Sequence, residues 1–596
     1  VSNREDAMPM GSTANGPYGA GPYPPGGQED RVVARIAELE KRLGDPTDAY
    51  GEISYARLLE ADERAEVSKD GERALDDLVL NADFVPHRLG GRLERVDTLV
   101  RVMRQVFRRD ITLGLGYGVT SFMAAVNVWR SGTGEQQRRL ADLLLDGGKV
   151  SVAFHELAHG NDFVHNEFQA RPVAGGYLLN GAKQVINNAD RAAAWVLFSR
   201  TSPAPGSRSH SVVLAEGAGL DQDRYRLLPR YDAVGVRGCH LSGLEFTDCP
   251  VPASALVGDE GKGVELALQA FQITRSALPG MALGAADTAL RTVTGFALGR
   301  RLYRKSVMDI PHARATLSAA FLDLLICDSL SLAATRAVHV LPDQTSVCAA
   351  AVKYLVPKML TEAMYDLSIV LGARFYVREG EFGIFQKHVR DLPVLSLGHA
   401  GSAACQATII PQLSRLARRS WFSDDPAPGA VFRLHDELPD IPFDRLTLAS
   451  GRDGISASLV AAVDELPTGT PEERSAHGVA LRLVEELRRV QEQSLGLAPR
   501  DRTALASPSA FALADRYAVL LAAASVIGVW QQAQGGSDSF LADPAWLGAA
   551  LHRLARRLGL SVPDLPGSCE ERLHKEVLAR FRGSRSYDLY DTPLAG

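Results

Sequence analysis

The apolar residues of this chain change their spacing twice, and that change limits the fold more than any single motif. Up to about residue 147 they recur at helical intervals. Val32, Ile36, Leu39 and Leu43 share one face and Gly44-Asp45-Pro46 ends it, and Glu135–Asp146 is a second amphipathic helix closed by Gly147-Gly148. Six short segments then read as strands between Gly, Asn, Asp and Pro: Lys149–Phe154, Phe168–Pro172, Gly176–Leu179, Ala194–Arg200, Ser211–Ala215 and Leu241–Phe246. From about 263 the helical period returns in Gly280–Arg301, Ala313–Val340 and Ser346–Leu371. Helices, a β block, then helices again, with no strand–helix alternation, is not a doubly wound nucleotide-binding fold, and no Walker loop is present.

The expected organisation follows. Residues 1–29 carry the Gly/Pro-rich run GPYGAGPYPPGG, which buries too little apolar surface to order itself. A helical domain spans 30–150, a β domain 151–262 and a helical bundle 263–422. The linker SDDPAPG at 423–429 leads to a further helical domain over 430–596, with helices at Leu481–Val490, Phe511–Trp530 and Ala545–Leu558.

Composition narrows the function. A net charge of -6 argues against nucleic acid or an anionic membrane as the main partner. The six cysteines are scattered without a CxxC pair, which suits a reducing cytoplasm and gives no metal signal. The longest apolar run, Ala518–Trp530, is too short to span a bilayer and reads as a buried helix; no secretory leader is expected.

Four segments over about 50–420 resemble the acyl-CoA dehydrogenase superfamily. SVAFHELAHGND (151–162) is similar to its flavin segment A-x-T-E-P-x-x-G-S-D, keeping Glu156, Gly160 and Asp162, with His155 for Thr, Leu157 for Pro and Asn161 for Ser. LNGAKQVINN (179–188) resembles L-x-G-x-K-x-W-I-T-N, with Val185 for the flavin-covering Trp and Asn187 for Thr. GVRGCHLSGLEFTDCPVPASALVGDEGKG (235–263) carries the L-x-F-x-D-x-x-V-P run and the closing G-x-x-G-x-G. The bundle contributes FQITR (271–275), ALGRRLYRK (297–305), a lone Lys353 and HVRD (388–391).

The resemblance implies a mostly α protein with a central β domain: an N-terminal helical domain, a barrel-like middle domain and a four-helix bundle, here with an extra helical domain. It implies FAD, with Phe154, His155, Asn161, Val185, Ile186 and Asn187 around the isoalloxazine. Arg300, Leu302, Tyr303, Ile369, Gly372 and Ala373 would hold the adenine half across a subunit interface. The family's base is a carboxylate that removes an α-proton while hydride leaves to the flavin. Counted from Arg390 that position is His399, and no Glu is present there. Asn161, Gln272 and Arg275 are the expected substrate contacts.

The expected activity is FAD-dependent oxidation of an acyl thioester, on coenzyme A or a carrier protein, by α,β-dehydrogenation or a related reaction of specialised metabolism, with an electron-acceptor flavoprotein or O2 as acceptor. Two alternatives stay open: a flavin monooxygenase of the same fold using reduced flavin and O2, in which a His near His399 serves the oxygen chemistry, and an inactive subunit that completes the cofactor site of an active homologue. By analogy with dehydrogenases carrying a similar extension, a homodimer is expected. Arg553, Arg556 and Arg557 form a basic stripe, read either as a carrier-protein contact or as a solvated helix face.

Overall fold

The computed structural model describes residues 26–160, 162–398 and 401–596. Helix α1 (Gln28–Leu43) buries Ile36, Leu39 and Leu43 and stops at Gly44, which takes a positive φ of 70°. Helices α2 (Val96–Arg109) and α3 (Thr120–Ser131) are buried along almost their whole length. Helix α4 (Gly134–Leu145) opens with a capping box: the Thr133 hydroxyl accepts from the Gln136 N–H, and the Gln136 side chain returns the bond.

The β domain is one eight-stranded sheet. Its strands are β1 (Val150–Ala153), β2 (Gln169–Val173), β3 (Gly176–Asn187), β4 (Ala194–Arg200), β5 (His210–Glu216), β6 (Tyr225–Leu228), β7 (Leu241–Pro252) and β8 (Leu256–Val257). The order is β6-β7-β3-β2-β4-β5-β8, and β1 runs parallel to β4. All six segments expected as strands are strands. Two were not expected: β6 has no alternation of buried and exposed residues, and β8 has only two residues. The β3–β7 ladder shifts register between Gln184 and Ile186, so Val185 is left out of the pairing.

The bundle comprises α5 (Gly263–Gly299), α6 (Pro311–Val340), α7 (Thr345–Leu371), α8 (Gly383–Asp391) and α9 (Ser402–Arg419). After the linker come α10 (Gly454–Val463), α11 (Pro471–Leu495), α12 (Pro508–Ala533), α13 (Pro544–Arg557) and α14 (Gly567–Arg582). This extension shares a continuous hydrophobic core with the bundle rather than forming a separate one. Asp515 on α12 accepts from Tyr354 Oη on α7 at 2.5 Å. Asp453 accepts from both Trp421 Nε1 at 3.1 Å and Tyr517 Oη at 2.7 Å. The tail beyond α14 returns to the bundle, where Asp588 meets Arg104 at 3.2 Å.

The basic stripe is divided by this packing: Arg553 pairs with Asp323, Arg557 pairs with Glu362 at 2.5 Å, and Arg556 stays exposed. The helix containing the 518–530 run is 26 residues long, so the run itself understated its reach. By length and composition alone, three helical stretches among the described residues could cross a membrane: 111–131, α6 and α12. In their most apolar windows, 94%, 94% and 78% of residues are buried inside the protein.

Candidate functional site

The ends of β1 and β3 face the bundle across a cavity of about 410 Å³ with mostly apolar walls. The β domain supplies Val152, Phe154, His155, Val185, Ile186 and Asn187. Leu115, Thr120 and Met123 close one side, Val236, Cys239 and Leu241 another, and the bundle brings Phe271, Leu278, Lys353 and the turn at 394–398. Five expected flavin contacts (Phe154, His155, Val185, Ile186 and Asn187) are thus gathered on one wall. The sixth, Asn161, lies outside the described residues, as does His399; the residue before His399, Gly398, lines the cavity.

Each of these positions has a local cause. Val185 sits at φ 57°, in the left-handed region that a β-branched residue rarely enters, because the register shift pushes it out of the ladder. His155 Nδ1 donates to the Gln184 carbonyl at 3.2 Å, which leaves Nε2 for a partner in the cavity. Asn187 Nδ2 donates to the Leu115 carbonyl at 2.9 Å, and Asn188 Nδ2 to the Gly116 carbonyl at 2.9 Å. Those carbonyls belong to a single π-helical turn, Leu115–Val119, which widens the helix next to the cavity. The Asn187 Oδ1 atom is buried on the cavity wall and has no protein partner. Phe154 packs in an aromatic cluster with Phe163, Phe198 and Phe271, which stiffens the floor.

Glu156, kept from the flavin motif, is a structural group. It accepts from Lys183 Nζ at 2.7 Å and from the backbone N–H groups of Glu167 and Phe168. Burial alone would raise its carboxyl, but Lys183 and the two N–H groups outweigh that and hold it below the ordinary value.

The expected substrate contacts separate. Gln272 is buried with both ends of its amide occupied: it donates to the Thr447 carbonyl at 2.8 Å and accepts from Thr345 Oγ1. It does not line the cavity but ties the bundle to the segment after the linker. Arg275 is 4% exposed, lies over the Phe271 ring at 5.1 Å, and donates to Thr408 Oγ1 at 3.3 Å.

A second depression, a groove of about 830 Å³, gathers Arg300, Leu302, Ile369, Gly372 and Ala373 between the hairpin at 301–306 and the C-terminal end of α7. Tyr303 stands on that hairpin, 90% exposed with a positive φ of 52°.

Sequence reasoning missed the other walls of the cavity. Val236 and Cys239 lie in the matched segment 235–263 but at positions given no role, and Leu395 carries no motif. The Gly114–Gly118 stretch, GLGYG in sequence, was the available sign of an irregular helix. Cys239 has its thiol pushed far up by burial, so it is no nucleophile. Among the described residues lining the cavity there is no Asp or Glu.

The family model for the acyl-CoA dehydrogenase C-terminal domain matches residues 261–413, which is the bundle that walls both cavity and groove. The human mitochondrial short-chain specific acyl-CoA dehydrogenase is 26% identical over 336 residues, covering 56% of this chain and 79% of its own. This chain belongs to the acyl-CoA dehydrogenase superfamily. Among solved structures of the acyl-CoA dehydrogenase fold, PigA with FAD and proline superposes with a TM-score of 0.58 at 19% identity, covering 65% of this chain and 97% of that one. The prolyl acyl carrier protein oxidase AnaB gives 0.57 at 17% identity, covering 64% and 98%. As a member of the superfamily, this chain departs from the usual pattern in three places: Val185 stands for the Trp, no carboxylate occurs at the His399 position, and a helical extension continues the bundle.

Proposed function

We propose that this protein is an FAD-dependent oxidoreductase acting on an acyl thioester, carried on coenzyme A or an acyl carrier protein, by α,β-dehydrogenation or a related oxidation. The observation that carries the reading is the cavity: a largely apolar space between sheet and bundle, of a size that holds a drug-sized ligand, with a few polar groups on one wall. Those groups fit a planar ring with polar edges. Asn187 Oδ1 is buried and unpaired there, and the half-buried His155 presents its free nitrogen. FAD bound in this place supplies the hydride acceptor of the oxidation.

The chain's own residues would orient and enclose. His155 and Asn187 hold the polar edge, Val185 covers the face that the family gives to Trp, and Phe154 and Phe271 keep water out. His399, next in the chain after Gly398, is the candidate proton acceptor in place of the missing carboxylate. On this reading the groove at Arg300 and Ile369 would receive the adenine half across a homodimer; its size and the Arg300 side chain support that role. A flavoprotein or O2 then accepts the electrons.

The absence of a carboxylate from the described cavity walls also favours a second reading, oxygenation by reduced flavin and O2. Anaerobic addition of an acyl thioester to the yellow protein separates them. Bleaching of the flavin with an enoyl product supports dehydrogenation. Labelled oxygen in the product, seen only with O2 and external reductant, supports oxygenation. Neither result with a panel of coenzyme A and carrier-protein thioesters would reject both.

A further inference from the structure

Among the described residues, buried cations are matched with acids. Arg35, Arg95, Arg101, Arg104, Arg108, Arg109, Arg336 and Arg580 each lie within ion-pair distance of an Asp or Glu. Lys183 has Glu156, and Lys387 has Asp110 and Asp391. Two buried cations break the pattern, and they are neighbours: Arg275 and Lys353, 4% and 1% exposed.

Neither has a carboxylate among the described residues. Lys353 donates to the Leu395 carbonyl and lines the cavity. Arg275 lies on α5 between Phe271 and Leu278, two residues that line the cavity at helical spacing from it; it stands just behind that wall, and its Nε is buried without a partner. Among the described residues, the titratable group that acts on both is the Cys405 thiol, whose proton is held by burial. Burial is the main cause that holds the Lys353 ammonium down to about 8; Cys405 opposes it, and the nearby Arg275 adds a smaller push in the same direction as burial. Two desolvated positive charges with unused donors are costly unless something negative joins them. The anion cannot come from the described protein, and the cavity is the open route to Lys353.

We propose that Lys353 and Arg275 anchor a carboxylate on the acyl chain of the substrate, so that the preferred thioester is a monothioester of a dicarboxylic acid or a comparably anionic acyl group. The proposal rests on the reading that an acyl thioester enters this cavity, and it names the chemical class of the acyl part. The apolar walls take the methylene chain. The two cations take the far end by charge-assisted hydrogen bonds, so a neutral acyl chain of equal length leaves them unpaired.

The test needs neither flavin nor turnover. Calorimetric binding of hexanoate and of hexanamide, its neutral counterpart, is compared on the full purified chain and on Lys353→Met and Arg275→Met. Hexanoate is expected to bind at least about tenfold tighter than the amide, and each substitution to abolish that preference. Equal binding of the two, or a preference that survives both substitutions, overturns the proposal. Thermal unfolding supplies the control. Lys353→Met is expected to unfold at the same or a higher temperature, because an uncompensated buried charge is removed, whereas a marked drop would make Lys353 a structural group and also overturn the proposal. A protein that shows the hexanoate preference yet binds no FAD would leave the anion site standing and reject only the redox reading.

Discussion

Lys183 Nζ, fully buried on β3, donates to Glu156 Oε1 at 2.7 Å, a charged contact that joins the hydrogen bonds of Gln184 in fastening the loop carrying His155 to the strand carrying Val185. Glu156 in turn caps the N–H groups of Glu167 and Phe168, so the loop from 155 to 168 is closed on itself. The motif residue that sequence comparison ties to the flavin therefore acts through the backbone that carries the flavin wall. Glu156→Gln leaves a buried ammonium without its counter-charge and is expected to cost about 3–5 kcal/mol in denaturant unfolding. Adding Lys183→Met to it should recover much of the loss. A double variant as unstable as the sum of the singles would show that the two residues act separately.

The tail after α14 locks three parts of the chain together. Arg104 on α2 lies between Asp328 on α6 at 2.6 Å and Asp588 at 3.2 Å, and Arg108 meets Asp287 on α5 at 3.2 Å. Burial raises the Asp588 carboxyl, but Arg104 and Arg108 outweigh it and hold it down to about 2. Asp588→Asn is expected to destabilise the whole molecule by about 2–4 kcal/mol in a single unfolding transition. Two separate transitions, with the extension melting first, would contradict the shared core.

Two buried histidines set an acid limit. His339 accepts from the Val96 N–H at its Nε2 and donates from Nδ1 to the Pro439 carbonyl, so it is held neutral; burial lowers it to about 4. His388 has no hydrogen-bond partner on either ring nitrogen, and burial, with Lys387 beside it, lowers it to about 3. Both folded values lie below the ordinary 6.5, so the unfolded chain takes up protons that the fold refuses. Stability should be full above about pH 6.5 and fall as pH drops toward 4, by about 3 kcal/mol per histidine. His388→Leu, which removes the two orphaned nitrogens, should flatten that slope when unfolding is measured across the range.

Val185 holds a left-handed backbone at the wall of the cavity. Val185→Gly should relieve about 1 kcal/mol of strain and raise the melting temperature. It should also widen the cavity and weaken flavin retention. A lower melting temperature with unchanged flavin content would mean that the side chain, rather than its backbone, matters there.

Much of this architecture was legible. Ile36, Leu39 and Leu43 mark α1, and Gly44 its end, because amphipathic spacing and a positive φ leave direct traces in sequence. β6 was not legible because it is an edge strand with no buried face, and α10 because its apolar residues run all round the helix. The stripe Cys569, Leu573 and Val577 of α14 was readable and passed over. At the site, motif matching located the β wall, since those residues are adjacent in the chain. It misplaced Gln272, whose partners Thr345 and Thr447 are far away in sequence. The isolation of Lys353 and Arg275 from any acid among the described residues is a three-dimensional fact, invisible until α5, α7 and α9 are packed.

The measurement that bears most directly on the function is the flavin content of the purified full-length chain, read by absorbance after release in denaturant and after incubation with excess FAD. About one FAD per chain is expected, held tightly enough to survive dialysis and reduced in Asn187→Leu. A colourless protein that takes up no FAD on reconstitution would contradict the assignment of the cavity to a flavin ring.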